Sequence, residues 1–248
     1  MICQIKNSTK SNASRCWILT STLFLLVCNN SKAQIGLGGF NAVMTVPTAH
    51  TLQDGRVAVG FGFIPKPYTV YGGPDYDNFA YFAAVGFLPG VEISLRATRA
   101  LDYYLPSIGD RMASVRLRVV PETRWLPALA IGVHDVIAIQ GEEGWFNALY
   151  AVATKDVHAF KFFSFGATAG YGVDWIKARA HEFNGLFGGL SFGIGGLLFV
   201  KGEYDTQRYN FGFGVSAKSL LSANLTFIDG RREHAAFGAT LQYRFFRK

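Results

Sequence analysis

The chain reads as an all-β protein: a transmembrane, antiparallel up-and-down β-barrel of about twelve strands that follows a cleaved signal peptide. Three observations predict this. The N-terminus has the layout of a secretory signal. From Val57 onward, hydrophobicity alternates with a period of two, segment after segment. Composition points the same way, with 28 glycines in 248 residues, 15% aromatic residues and only 17% charged ones. That balance excludes a disordered chain, which is charge-rich and aromatic-poor. It also disfavours a helical bundle, because glycine weakens helices and aromatic residues prefer strands.

Residues 1–33 come first. Lys6, Lys10 and Arg15 precede an apolar stretch from Cys16 to Cys28, and Ser31-Lys32-Ala33 supplies small residues for cleavage after Ala33. The apolar stretch is short of the ~20 residues that a spanning helix needs. Cys28 stands where a bacterial lipoprotein is cleaved, although Val27 is a poor residue just before it. Cleavage after Ala33 changes the charge and thiol inventory. Cys3, Cys16 and Cys28 all leave, with four of the 24 basic residues and none of the 17 acidic ones. The remainder carries 20 basic against 17 acidic residues, a net charge of +3 rather than +7. Without thiols it forms no disulfide and no cysteine metal site, and its mild charge removes the case for nucleic acid as a partner.

Residues 34–54 show no clear period and are expected to be a lead-in or a plug, and 55–248 to form the barrel. Val57, Val59, Phe61 and Phe63 oppose Ala58, Gly60 and Gly62. Phe79 to Phe87 alternate into Pro89-Gly90, a tight turn, and Val91, Ile93, Leu95 and Ala97 follow. Val115, Leu117 and Val119 form the next apolar face, and further strands fit 127–137 and 146–154. Phe163 to Tyr171 alternate with serine, glycine and threonine. Residues 183–200 carry no charge but six glycines, at about 1 kcal/mol each against a helix. Two strands, 185–194 and 197–204, turning at Gly195-Gly196 explain that segment better. Tyr209 to Val215, Leu221 to Phe227 and Ala235 to Phe245 complete the set, with Asp229-Gly230 in the last connection. Each strand is near the ~9–11 residues that cross a bilayer on a tilt, and closure removes unpaired edges.

Chemical motifs are few. Gly189-Leu190-Ser191-Phe192-Gly193 matches a nucleophile elbow, but that motif needs a strand, a sharp turn and a helix, and here it lies in an alternating strand. Gly212 to Ala217 mimics a dinucleotide fingerprint with no helix after it. His50, His134, His158, His181 and His234 show no ligand spacing, and nothing places His134 beside Ser191. No catalytic residue, cofactor or metal site is expected. The polar face is more informative, because Glu92, Arg96, Arg116, Arg118, Lys201, Glu203 and Arg244 point into the lumen. Charges there pair or stay hydrated, and their mixed signs favour an internal ladder that stiffens the wall. Inward glycines (Gly60, Gly62, Gly86, Gly132, Gly166, Gly170, Gly212, Gly214) make room for those arginines or let the barrel curve tightly. Twelve strands lie between packed eight-strand barrels and open porins, so a narrow or plugged lumen is expected.

Trp125-Leu126-Pro127-Ala128-Leu129-Ala130-Ile131-Gly132-Val133-His134-Asp135 and Tyr150-Ala151-Val152-Ala153-Thr154-Lys155 resemble motifs of the YjbH-like outer-membrane protein family. Gly36 to Phe40, Pro47-Thr48-Ala49 and Asp54-Gly55 before them, and Glu203-Tyr204-Asp205 and Tyr209-Asn210-Phe211-Gly212 after them, stand in the expected order. The chain departs from the family in the loop Ala138 to Gly144, which carries Glu142 and Glu143, and at Leu149, where the family usually has glutamate. Many relatives are far longer. The resemblance implies an outer-membrane barrel linked to exopolysaccharide or capsule export or assembly, with no established catalytic residues. Its implied partners are outer-membrane lipid, the barrel-assembly machinery and polysaccharide or its export proteins. Gly238-x-x-Leu241-x-Tyr243 looks like a barrel-assembly signal. A small-solute porin and a lipid hydrolase using Ser191 and His134 are the alternatives.

Overall fold

The computed structural model describes residues 34–66, 68, 76–101, 109, 111–136, 146–159, 162–174, 183–217 and 220–245. The signal-peptide reading of 1–33, including Cys28, and the loop with Glu142 and Glu143 lie outside these residues.

Among the described residues, twelve strands form one closed barrel. They are β1 (Arg56–Ile64), β2 (Asn78–Gly86), β3 (Val91–Ala100), β4 (Arg111–Val120), β5 (Ala128–His134) and β6 (Ala148–Ala159), followed by β7 (Phe163–Val173), β8 (Gly185–Ile194), β9 (Leu198–Tyr204), β10 (Tyr209–Ala217), β11 (Leu221–Phe227) and β12 (Ala235–Arg244). Each pairs antiparallel with its neighbours in sequence, and β1 closes on β12 from Arg56↔Arg244 to Phe63↔Phe237. Closure leaves no strand edge with unpaired N–H and C=O groups. At one end the connections are mostly brief: 87–90, 121–127, 160–162, 195–197 and 218–220. The other end carries 65–77, 101–110, 135–147, 174–184, 205–208 and 228–234.

Local chemistry explains the turns. Gly195 and Gly196 both adopt positive φ, at 62° and 67°, as a type I′ hairpin between β8 and β9 requires. Residues 183–200 are therefore a hairpin, with no α-helix among the described residues. Asp229 and Gly230 also take positive φ, but they sit in a longer connection of two 3-10 turns rather than a two-residue hairpin.

Alternation along the strands sorts the side chains. Val59, Phe61, Leu95, Val115, Leu117, Ile131, Leu190, Phe192, Phe213 and Leu241 are exposed on the outer face. Among the described outward positions of the strands, charge appears only at Arg99 and Arg111 at the long-loop end and Lys155 at the short-turn end. Between them runs an apolar band.

The inner face differs from a purely polar lining. Phe82, Tyr150, Phe187 and Phe199 point inward, and each lies over a glycine directly across on the neighbouring strand. The pairs are Phe82 with Gly60, Tyr150 with Gly132, Phe187 with Gly170 and Phe199 with Gly193. A Cβ at each of these glycines would run into the facing ring. The inward glycines thus make room for aromatic rings and, elsewhere, for chain. A Cβ on Gly86 would strike the Gln53 carbonyl, and one on Gly212 the sulfur of Met44.

That chain is residues 34–54, which fold into the lumen. Ile35, Leu37, Phe40, Val43, Met44, Val46, Ala49 and Leu52 are all buried. The segment is irregular, held internally by Gly36 N to Phe40 O, Leu37 N to Met44 O and Val43 N to Val46 O, each at 2.9 Å. Phe40, Ala42, Val46 and Ala49 pack with Tyr150, Val152, Phe183 and Phe187 in one apolar cluster. Ile35 and Leu52 pack with Ala58, Phe82 and Ala84 in another.

Candidate functional site

An irregular segment inside a barrel carries backbone polar groups that no ladder satisfies, and burying them unpaired is costly. The wall supplies the partners. Glu203, on β9, accepts from the backbone N–H groups of Met44 (2.9 Å), Thr45 (2.9 Å) and Val46 (3.2 Å), and from the Thr45 hydroxyl. Across the lumen, Glu92 on β3 accepts from the N–H groups of Asn41 (3.1 Å) and Leu52 (2.8 Å) and from the Asn41 amide. Arg116 on β4 does the converse. Its Nη1 donates to the carbonyls of Asn41 (2.7 Å), Thr48 (2.6 Å) and His50 (3.1 Å), and its guanidinium lies over the Phe40 ring. Lys201 donates to the Val43 carbonyl at 2.7 Å and to Asn224 at 3.0 Å. Asn224 in turn donates to the Ile35 carbonyl, and Thr154 accepts from Ala49 N–H at 2.8 Å.

The structure therefore places the charged residues read from the sequence as follows. Glu92, Arg116, Lys201 and Glu203 are all buried and all hold the lumenal segment. Glu92 and Arg116 also pair with each other at 3.5 Å, but most of their contacts go to the segment's backbone, not to a ladder along the wall. Arg96 lies over the Phe146 ring near the long-loop end. Arg118 is half-exposed beside Gly90, where the β4–β5 register shifts, and Arg244 is exposed at the end of β12. Neither touches the lumenal segment in the contacts described.

Among the described residues, a cavity opens at each end. The long-loop cavity is lined by Phe40, Tyr68, Arg96, His134, Phe183 and Arg208, among others. There the Tyr68 hydroxyl meets His234 Nδ1 at 2.7 Å, and the Arg208 guanidinium sits over the Tyr68 ring. Burial, with a smaller contribution from Asp229, holds the Tyr68 phenol above its ordinary range. The short-turn cavity is bordered by Gln34, His50, Thr154, Asp156, His158 and Ser191. His134 and Ser191 thus border different cavities, and His134 Nδ1 is engaged with the Ser114 hydroxyl at 2.9 Å. Ser191 lies within β8, and Gly212 to Ala217 within β10, with no helix following either.

Sequence reasoning missed one grouping. His50, Glu122 and Asp156 each offer a ligand atom, and these atoms lie within 4.8 Å of one another. They come from the lumenal segment, the β4–β5 connection and β6, so no linear spacing announces them.

Comparison with known proteins meets this geometry at the lumenal segment and the first half of the wall. The sequence profile of the YjbH family, described as exopolysaccharide biosynthesis protein YbjH, matches residues 33–181, more than half of the chain. A protein of Escherichia coli strain K12 described as "Uncharacterized lipoprotein YjbH" is 28% identical over 164 residues. That alignment covers 62% of this chain but only 20% of the relative, so this chain spans about a fifth of that protein's length. The matched span takes in the whole lumenal segment together with Glu92, Arg116, Glu122 and Asp156. The chain belongs to the YjbH family of exopolysaccharide biosynthesis proteins.

Proposed function

We propose that this chain is a non-enzymatic barrel of the Gram-negative outer membrane that supports the export or assembly of an exopolysaccharide or capsule. The observation that carries the membrane reading is the outer face, where an apolar band circles a closed barrel and charge on the strands is confined to the two ends. A soluble barrel would lose solubility with that much contiguous apolar surface. Short turns at one end and longer loops at the other match the periplasmic and external ends of such barrels. The polysaccharide role rests on family membership. The filled lumen favours support or gating over free solute passage, which sets this reading ahead of a general porin. The separation of His134 from Ser191 gives no support to a lipid hydrolase.

Delivery follows from the signal-like residues 1–33, with the mature protein starting at Gln34. The E. coli relative's description as a lipoprotein favours a second reading of the N-terminus, in which Cys28 is lipidated. Intact-mass measurement separates a chain starting at Gln34 from one starting at a lipid-modified Cys28. Membrane fractionation with a gel run before and after boiling tests the architecture. The expected result is an outer-membrane band that shifts on heating, and a soluble product with no shift contradicts it. Deletion of the gene is expected to change the amount or composition of surface polysaccharide, and an unchanged surface counts against the role.

A further inference from the structure

We propose that His50, Glu122 and Asp156 form a binding site for a divalent transition metal of the zinc type, and that the bound ion clamps the lumenal segment to the short-turn rim of the barrel. The three side chains come from three separate elements. His50 Nε2 lies 3.0 Å from Asp156 Oδ2 and 3.9 Å from Glu122 Oε2, so two carboxylates converge on one ring nitrogen. A cation between the three atoms serves all of them.

The groups are held in place. The His50 carbonyl is fixed by Arg116 Nη1 at 3.1 Å, which sets where the imidazole can reach. Glu122 Oε1 accepts from the Asp156 backbone N–H at 3.0 Å and lies 3.4 Å from Lys155 Nζ, and Glu122 Oε2 lies 3.9 Å from His50 Nε2. The His50 and Glu122 side chains are only 7% and 8% exposed, and Asp156 is 22% exposed. A buried imidazole and two part-buried carboxylates thus converge on one point.

Geometry and donor chemistry select the ion. Tetrahedral ligand atoms about 2.1 Å from zinc lie about 3.4 Å apart, so the 3.0 and 3.9 Å separations from His50 Nε2 are already close, and a set within 4.8 Å closes by about 1.4 Å at most. One imidazole nitrogen with two carboxylate oxygens suits zinc, while calcium demands six to eight oxygens. The short-turn cavity borders His50 and Asp156 and gives water access for the fourth position. Because one ligand belongs to the lumenal segment and two to the β4–β5 connection and β6, the ion cross-links them, and its removal loosens the segment near Ala49 to Leu52.

The test is zinc titration by calorimetry on the full-length protein folded in detergent, with the folded state of every variant checked by its heat-dependent gel shift. Wild type is expected to bind one Zn²⁺ per chain. Asp156→Asn, and the rim variant Glu122→Gln, whose loop position spares the lumenal packing, are each expected to weaken binding at least about tenfold. His234→Ala, at the opposite end, is expected to bind as wild type does. Zinc is also expected to raise the thermal midpoint of wild type and not that of Glu122→Gln. The proposal is overturned if folded wild type takes up no stoichiometric zinc, which leaves a His50–Asp156 ion pair only. It is equally overturned if folded Glu122→Gln and Asp156→Asn bind as tightly as wild type.

Discussion

Arg116 shows how single residues set the interior. It is buried, and one guanidinium nitrogen serves three carbonyls of the lumenal segment while the group also faces Glu92. Removing one member of such a buried set strands the others, at about 3–5 kcal/mol. Arg116→Ala is expected to lower unfolding stability in detergent by that amount, as read by urea titration. Arg116→Lys is expected to recover only part of it, because an ammonium lacks the planar fork. The glycine–aromatic pairs are a second residue-scale device. At Gly132 a Cβ would meet only the Tyr150 ring among its nearest neighbours. Gly132→Ala is therefore expected to cost about 1–3 kcal/mol. In a double-mutant cycle with Tyr150→Ala, the two changes are expected to couple by at least about 1 kcal/mol; additive effects would show that the ring does not fill the glycine's space. The sequence marks Gly132 as inward and Glu92, Arg116, Lys201 and Glu203 as facing the lumen. It does not say what they face, because their partners are mostly main-chain groups of residues 41–50, and backbone groups leave no trace in a side-chain pattern.

Among the elements, the strands were the most legible. Their period of two survives because each has one face toward the band and one toward the lumen. All twelve strands correspond to alternating runs in the sequence, with boundaries differing by a few residues, most at β6, which runs on to Ala159. The lumenal segment was the least legible, since it has no period and its apolar residues read equally as lead-in or plug. The His50, Glu122 and Asp156 grouping was invisible for a related reason: it exists only once 34–54 has folded back inside. Turns carry a testable consequence of their own. Gly195 and Gly196 sit at positive φ, which costs other residues about 1–2 kcal/mol. Gly195→Val is expected to destabilise the β8–β9 hairpin and slow refolding into detergent, whereas Gly195→Asn is expected to be nearly neutral because asparagine tolerates this region. Equal effects of valine and asparagine in refolding kinetics would contradict the type I′ account.

For the molecule as a whole, the two faces of the wall do different work. The outer band suits a lipid surround, and the inner face is built to retain a piece of the protein's own chain. Twelve strands leave a lumen too wide for wall side chains alone to fill. The lumenal segment, the four inward rings and the four charged anchors fill it together. The central claim is that this lumen is closed by residues 34–54 and that Glu92, Arg116, Lys201 and Glu203 hold the closure. Single-channel recording in a planar bilayer tests it most directly, comparing wild type with Arg116→Ala, Glu203→Ala and a chain lacking residues 34–52. The account predicts a nearly silent wild type, intermittent openings in the two point variants and a steady open pore in the deletion. A wild type that conducts steadily at the level of the deletion would contradict it.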